Sequence, residues 1–148
     1  MKIRKADNTD CNRLSTIAYN SKSYWGYSQD FLDKCKEDLT VTVEYIKNNP
    51  TYVMIEGKEI VAFYSFSLSN EQLDALFIDP VYIGKGFGQL LWIDLMKRVK
   101  ELGVKQFTID SDPGAEGFYL KMGAEKVGYT PSTVFPQRSL PLLKVKVT

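Results

Sequence analysis

The spacing of apolar residues switches repeatedly between strand and helix period along this chain, and each switch marks a change of element. Residues 2–5 alternate as a short strand, and Asp7 and Asp10 supply capping groups for a helix after them. Over residues 11–21, Leu14, Ile17 and Ala18 recur at helical spacing. The stretch Lys-Ser-Tyr-Trp-Gly-Tyr at residues 22–27 interrupts that pattern with aromatics around a glycine. Ser28 then caps a second helix predicted to reach about residue 38, with Phe31, Leu32 and Cys35 turned inward. Residues 42–48 predict one more short helix, closed by Asn49-Pro50 because a residue before proline is driven out of helical geometry.

From there the period drops to two. Residues 52–55 and 60–68 flank the turn Glu56-Gly57-Lys58 as a β-hairpin, and Ser69-Asn70 turns the chain again into a strand over residues 72–78. Helical spacing returns at Gly88, with Leu91, Leu95, Val99 and Leu102 as one stripe and Gly103 as the cap. Residues 106–109 read as a buried strand, so the helix before them is a crossover and its flanking strands run parallel. A short helix over residues 115–121 stops at Gly123. Strands at 125–129 and 142–147 come last, separated by a loop holding Pro131, Pro136 and Pro141. The expected fold class is α+β, a mixed and mostly antiparallel sheet flanked by helices, in a single domain over residues 1–148. The apolar run over residues 140–147 offers a strand for pairing with, or swapping into, a second copy, so a homodimer is one expected assembly.

Composition narrows the function. With 148 residues, 44% hydrophobic and 25% charged, the chain has the make-up of a globular protein with a proper core. A net charge of +1 gives no field that favours nucleic acid or an anionic membrane. No apolar run approaches a membrane span, and the N-terminus lacks the core of a signal peptide, so a cytoplasmic location is expected. Cys11 and Cys35 have no metal or redox spacing and read as free thiols. The chain has no histidine, which excludes imidazole base catalysis, histidine triads and histidine metal sites; no metal is expected.

The most informative segment is residues 75–88, Ala-Leu-Phe-Ile-Asp-Pro-Val-Tyr-Ile-Gly-Lys-Gly-Phe-Gly. A strand ends at Asp79-Pro80, three glycines come next at Gly84, Gly86 and Gly88, and a helix begins at once. Closely spaced glycines let backbone N–H groups turn inward, and a helix N-terminus adds its unpaired donors and positive dipole end. Such an arrangement cradles a phosphate or pyrophosphate. A Walker loop needs Lys followed by Ser or Thr after a longer gap, which is missing; a dinucleotide fold places its glycines after the first strand, and here they lie mid-chain.

This glycine segment resembles the acetyl-coenzyme A loop of the GNAT N-acetyltransferases, on Ile83-Gly84-Lys85-Gly86-Phe87-Gly88. Downstream, Ala-Glu-Gly-Phe-Tyr-Leu-Lys-Met-Gly-Ala at residues 115–124 is similar to that family's second signature. The resemblance implies a cofactor, acetyl-CoA, held by the main chain of Leu76, Phe77 and Ile78 along its pantetheine arm. It implies a pyrophosphate received by Gly84, Lys85, Gly86, Phe87, Gly88 and Gln89, and a further contact at Asp112. Ile83 and Gly114 depart from the family pattern, which often carries Gln or Arg and Asn there. The resemblance makes Tyr119 the catalytic candidate, a phenol that protonates the departing thiolate, with Phe118 packing beside it.

Three points stay open at this stage. Aligned from the glycines, the strand position that carries a Glu base in some family members is Gln72, which leaves Glu71, Asp74 and Glu116 as the nearby carboxylates. The family's strand bulge implies a main-chain N–H near Ile78 for the thioester oxygen. The acceptor, expected to be a small-molecule primary amine, is expected against Tyr24, Trp25 and Tyr27, with the loop around Arg138 as the other wall. The implied reaction is direct attack of that amine on acetyl-CoA in a ternary complex. The rival reading is the same fold holding coenzyme A without turnover.

Overall fold

The computed structural model describes residues 2–148. Its order is β1 (Lys2–Lys5), α1 (Cys11–Ser23), α2 (Gln29–Cys35), α3 (Val43–Asn48), β2 (Thr51–Glu56), β3 (Glu59–Ser67), β4 (Gln72–Ile78), α4 (Phe87–Glu101), β5 (Gln106–Asp110), α5 (Glu116–Lys121), β6 (Glu125–Pro131) and β7 (Ser139–Lys146). Seven strands form one sheet in the order β1-β2-β3-β4-β5-β7-β6, antiparallel throughout except for β4 beside β5. The α+β expectation and the parallel crossover pair are both met.

Period-two alternation sorts the strands' side chains onto two faces. Ala62, Tyr64 and Phe66 join Met54 under α4 and α5, while Phe63 and Val53 face Leu14, Ile17 and Ala18 of α1. Local chemistry sets the helix starts. Ser28 and Thr42 accept N–H bonds from Phe31 and Tyr45, and Asp7 and Asp10 close a reciprocal capping box ahead of α1. Each such cap stabilises its helix by about 1 kcal/mol. α4 ends in a Schellman motif: Val104 N–H reaches Val99 C=O at 3.0 Å and Gly103 N–H reaches Lys100 C=O at 3.1 Å.

Several expectations are corrected. α2 stops at Cys35, short of residue 38, and Phe31 is only half-buried. The buried stripe of α4 is Phe87, Gly88, Leu91, Trp92, Leu95 and Val99; Leu102, in the cap itself, is exposed. β7 is an interior strand paired on both sides by β5 and β6, so it has no free edge for a second copy.

The feature that positions the site is a parting of the sheet. β4 and β5 share one register pair, Gln72↔Thr108, closed by Thr108 N–H to Glu71 C=O at 3.1 Å, and then separate. On the far side of β4, Asp79 N–H bonds Val61 C=O at 2.9 Å. Antiparallel alternation then makes Phe77–Phe63 and Ala75–Ser65 the hydrogen-bonded pairs. Leu76 and Ile78 therefore aim their N–H and C=O groups into the gap. By the same alternation, Ser111 N–H on Pro141 C=O leaves those of Asp110 facing the gap from β5.

Candidate active site

The connection from β4 to α4 is built in two halves. In the first, Asp79 accepts Val81 N–H at 3.2 Å and Tyr82 N–H closes on Asp79 C=O at 2.8 Å. Arg13 of α1 ties this corner down by donating to Asp79 Oδ2 at 2.8 Å and to Ile60 C=O. In the second half, none of the N–H groups of residues 84–89 bonds to another described residue; the next donor, Leu90 N–H, returns to Gly86 C=O at 3.3 Å. Six consecutive donors at the positive end of a 15-residue helix make a receptor for an anion.

The three glycines serve this loop for different reasons. Gly84 and Gly86 have φ of 88° and 80°, backbone that a side chain disfavours. Gly88 has ordinary backbone, but a Cβ there would sit 3.0 Å from Phe118 and 3.2 Å from Ile78, so it lets α4 pack closely over α5 and the end of β4. Lys85 lies over the Tyr82 ring at 5.4 Å, a cation at the rim of the loop.

Beside the parted strands lies a cleft of about 980 Å³. Leu76 and Phe77 line it from β4, Asp112 from the β5–α5 turn and Tyr119 from α5; Ile78 and the glycine loop lie beyond its lining. Tyr119 is buried, packed 5.9 Å from the Trp92 ring, and makes no hydrogen bond to a described residue. Burial, followed by the Asp112 charge, pushes its phenol well above the usual range, so it is protonated at neutral pH. Phe118 packs beside Tyr119 as expected, half-buried against Trp92, while Tyr119 is the more deeply buried of the two rings.

The aromatic cluster divides. Trp25 lines the cleft, with its indole lying directly on Gly114; a Cβ at that glycine would be 2.7 Å from the ring. Tyr24, 53% exposed, turns to solvent. Tyr27 stacks on Phe31 at 4.2 Å, and Phe31 stacks on Phe135 at 4.7 Å. Its hydroxyl donates to Asp112 Oδ2 at 2.9 Å and receives Arg138 Nη2–H at 2.6 Å. Asp112 also accepts from Lys22 and, at 2.8 Å, from Gly114 N–H. Burial alone would raise the Asp112 carboxyl; Lys22, Gly114 and Tyr27 outweigh it and hold the group below the usual carboxylate range. Asp112 is therefore an organiser of the cleft wall with its oxygens already engaged.

The carboxylates also separate. Glu116 pairs with Lys126 at 3.2 Å and Glu71 sits in the β3–β4 turn at φ 48°, and neither lines the cleft. Asp74 does, and it occupies the bulge of β4, where the register with β3 jumps between Leu73 and Ala75. A bulge re-aims its side chain. The irregularity thus falls four residues before Ile78, the position around which it was expected. Tyr45 holds Asp74 through its hydroxyl, which also contacts Ser65 Oγ at 2.6 Å. Asp38 joins this side of the cleft, and its carboxyl is raised by burial and by the Asp74 charge. Lys22, Asp38, Tyr45 and the Phe31–Phe135 stack were not singled out by the sequence, because they come from separate segments with no shared spacing.

The sequence model of the acetyltransferase (GNAT) domain matches residues 17–133. No curated protein sequence matches the chain. Among solved structures, a GCN5-related N-acetyltransferase from Rhodopseudomonas palustris superposes with a TM-score of 0.82 at 18% identity, covering 98% of this chain and 94% of that one. The PaiA N-acetyltransferase of Thermoplasma acidophilum, solved with coenzyme A, gives 0.79 at 18% identity, with 98% of each chain covered. Salmonella typhimurium YncA, solved with acetyl-CoA, gives 0.69 at 17% identity over 100% of this chain and 94% of that one.

Proposed function

Because this chain belongs to the GNAT acetyltransferase family, we propose that it is an N-acetyltransferase that moves the acetyl group of acetyl-CoA to a primary amine of a small molecule, by direct attack in a ternary complex. The observation that carries this reading is the run of unpartnered N–H groups at residues 84–89, placed at the end of a strand whose outward amides face a gap. That combination fits a ligand with a pyrophosphate at one end and an extended amide-bearing arm at the other. Main-chain groups of Leu76, Ile78 and Asp110 would pair such an arm as a sheet pairs an added strand. The coenzyme A and acetyl-CoA in the structures of PaiA and YncA support the same assignment.

Each step then falls to a group of this chain. The Asp38 and Asp74 carboxylates draw the acceptor's ammonium into the cleft and take the proton that its nitrogen must lose. The new C–N bond forms as the C–S bond breaks, and the Tyr119 phenol gives its proton to the departing sulfur. The phenol is protonated at neutral pH and its hydroxyl has no competing hydrogen-bond partner among the described residues, so its proton is available to the sulfur. The cleft volume suits a small acceptor beside the acyl end of the cosubstrate.

Thiol release from acetyl-CoA, followed over a panel of amines, tests the reading. Tyr119→Phe is expected to lower kcat by about 100-fold, with acetyl-CoA affinity by calorimetry unchanged. Binding without release across the panel would favour the non-catalytic reading, and absence of binding would remove the assignment altogether.

A further inference from the structure

The cleft holds uncompensated charge of both signs. Arg138 is half-buried, and its guanidinium lies 5.1 Å from the Tyr27 and Phe31 ring centres. The Tyr27 hydroxyl takes one of its N–H groups at 2.6 Å, and no described carboxylate pairs with it. The nearest acid in this network, Asp112, is already held by Lys22. The rest of the Arg138 fork is left to face the cleft, fixed in plane by the rings beneath it, which is the preorganisation that bidentate carboxylate recognition needs. Lys34 adds a second cation with no carboxylate pair among the described residues, 5.8 Å from the Phe135 ring.

The opposite excess lies on Asp38 and Asp74. Neither forms an ion pair among the described residues; burial and the Asp74 charge raise the Asp38 carboxyl against the opposing pull of Lys22, which is itself paired with Asp112. The Tyr119 hydroxyl opens into the same cleft; the residue is 6% exposed, and no described residue hydrogen-bonds that hydroxyl. A ligand with a cation alone would leave Arg138 uncompensated, and one with an anion alone would face the two carboxylates.

We propose that the acceptor is an amino acid: its reacting amine lies toward Asp38 and Asp74, and its carboxylate is taken by Arg138. The proposal rests on the acetyltransferase reading of the same cleft and names the substrate class for it.

The test compares thiol release from acetyl-CoA for α-, β- and γ-amino acids against amines of the same skeleton without the carboxylate, such as leucine against isopentylamine and phenylalanine against phenethylamine. For the best pair, kcat/KM of the amino acid is expected to exceed that of its amine by more than about tenfold. Arg138→Gln is expected to shrink that ratio by at least about tenfold, and Arg138→Lys to restore part of it. Equal or better turnover of the plain amines overturns the proposal. So does a loss in Arg138→Gln that is the same for both members of each pair. Where no acceptor turns over, fluorescence of Trp25 in the coenzyme A-saturated protein reports amino-acid binding directly; saturable binding lost in Arg138→Gln supports the proposal, and no binding across the panel overturns it. Calorimetry with acetyl-CoA alone reads the parent assignment separately: if acetyl-CoA binds and amino acids neither react nor bind, only the acceptor class falls.

Discussion

Two glycines separated by one residue show how a single backbone angle can carry affinity. Gly86 has φ of 80° and open space where a Cβ would stand, so Gly86→Ala introduces strain without collision. The strain is about 1–2 kcal/mol, enough to lower Tm by a few degrees and to turn the loop's N–H groups off their common focus. Calorimetry is expected to show coenzyme A affinity falling by more than about tenfold, a loss that pantetheine, which has no pyrophosphate, does not share. Equal losses for both ligands would mean that the loop supports the slot generally and does not read the phosphates. At the same scale, Tyr119 is set apart from the other phenols of raised pKa by having no hydrogen-bond partner among the described residues. Tyr45 and Tyr64 also have raised pKa values, but each hydroxyl is committed to a carboxylate, Asp74 and Asp94 respectively.

Between elements, the α1–α2 connection and the β5–α5 turn are locked by Trp25 lying on Gly114 and by Asp112 gathering Lys22 and Tyr27. Gly114→Ala would drive a methyl into the indole. It is expected to destabilise the protein by about 1–3 kcal/mol in chemical denaturation. Adding Trp25→Ala should recover part of that loss, because the two changes share one contact; additive losses would show that the indole is free to move aside. This lock also marks where sequence reading stops. Helix spacing at Leu14, Ile17 and Ala18, the hairpin around Gly57, and the strand-glycine-helix order at residues 75–88 are local signals, and the structure has each in place. The α4 stripe erred at Leu102 because a Schellman cap turns that residue outward, a tertiary consequence of Gly103. The interior position of β7 depends on which strand fills the place beside β5, and periodicity carries no information about that. The cleft's charges were the least legible part. The sequence singles out Asp74 and Arg138 but not Lys22 or Asp38, and all four line one cleft only because four segments fold over one gap.

Across the whole molecule, the sheet is two half-sheets, β1 to β4 and β5-β7-β6, joined edge to edge at Gln72↔Thr108. Their remaining connection is through side chains: Phe66 meets Phe107 edge to face at 5.4 Å, and Trp92 of α4 packs on Phe107 at 6.1 Å. A ligand that pairs with both lips of the gap joins the halves. At about 100 times its Kd it adds about 2.7 kcal/mol to stability, which corresponds to a Tm rise of roughly 5–10 °C. Hydrogen exchange at Thr108 should slow in step with that rise; a Tm shift with unaltered exchange there would place the ligand elsewhere. The parted strands then have a meaning for the cell as well as for the reaction. Opening along a seam with one rung is a route by which this chain becomes proteolytically vulnerable, and occupancy of the slot closes that route. The protein's lifetime would follow the supply of its cosubstrate, so that starvation for acetyl-CoA would lower the amount of enzyme as well as its rate.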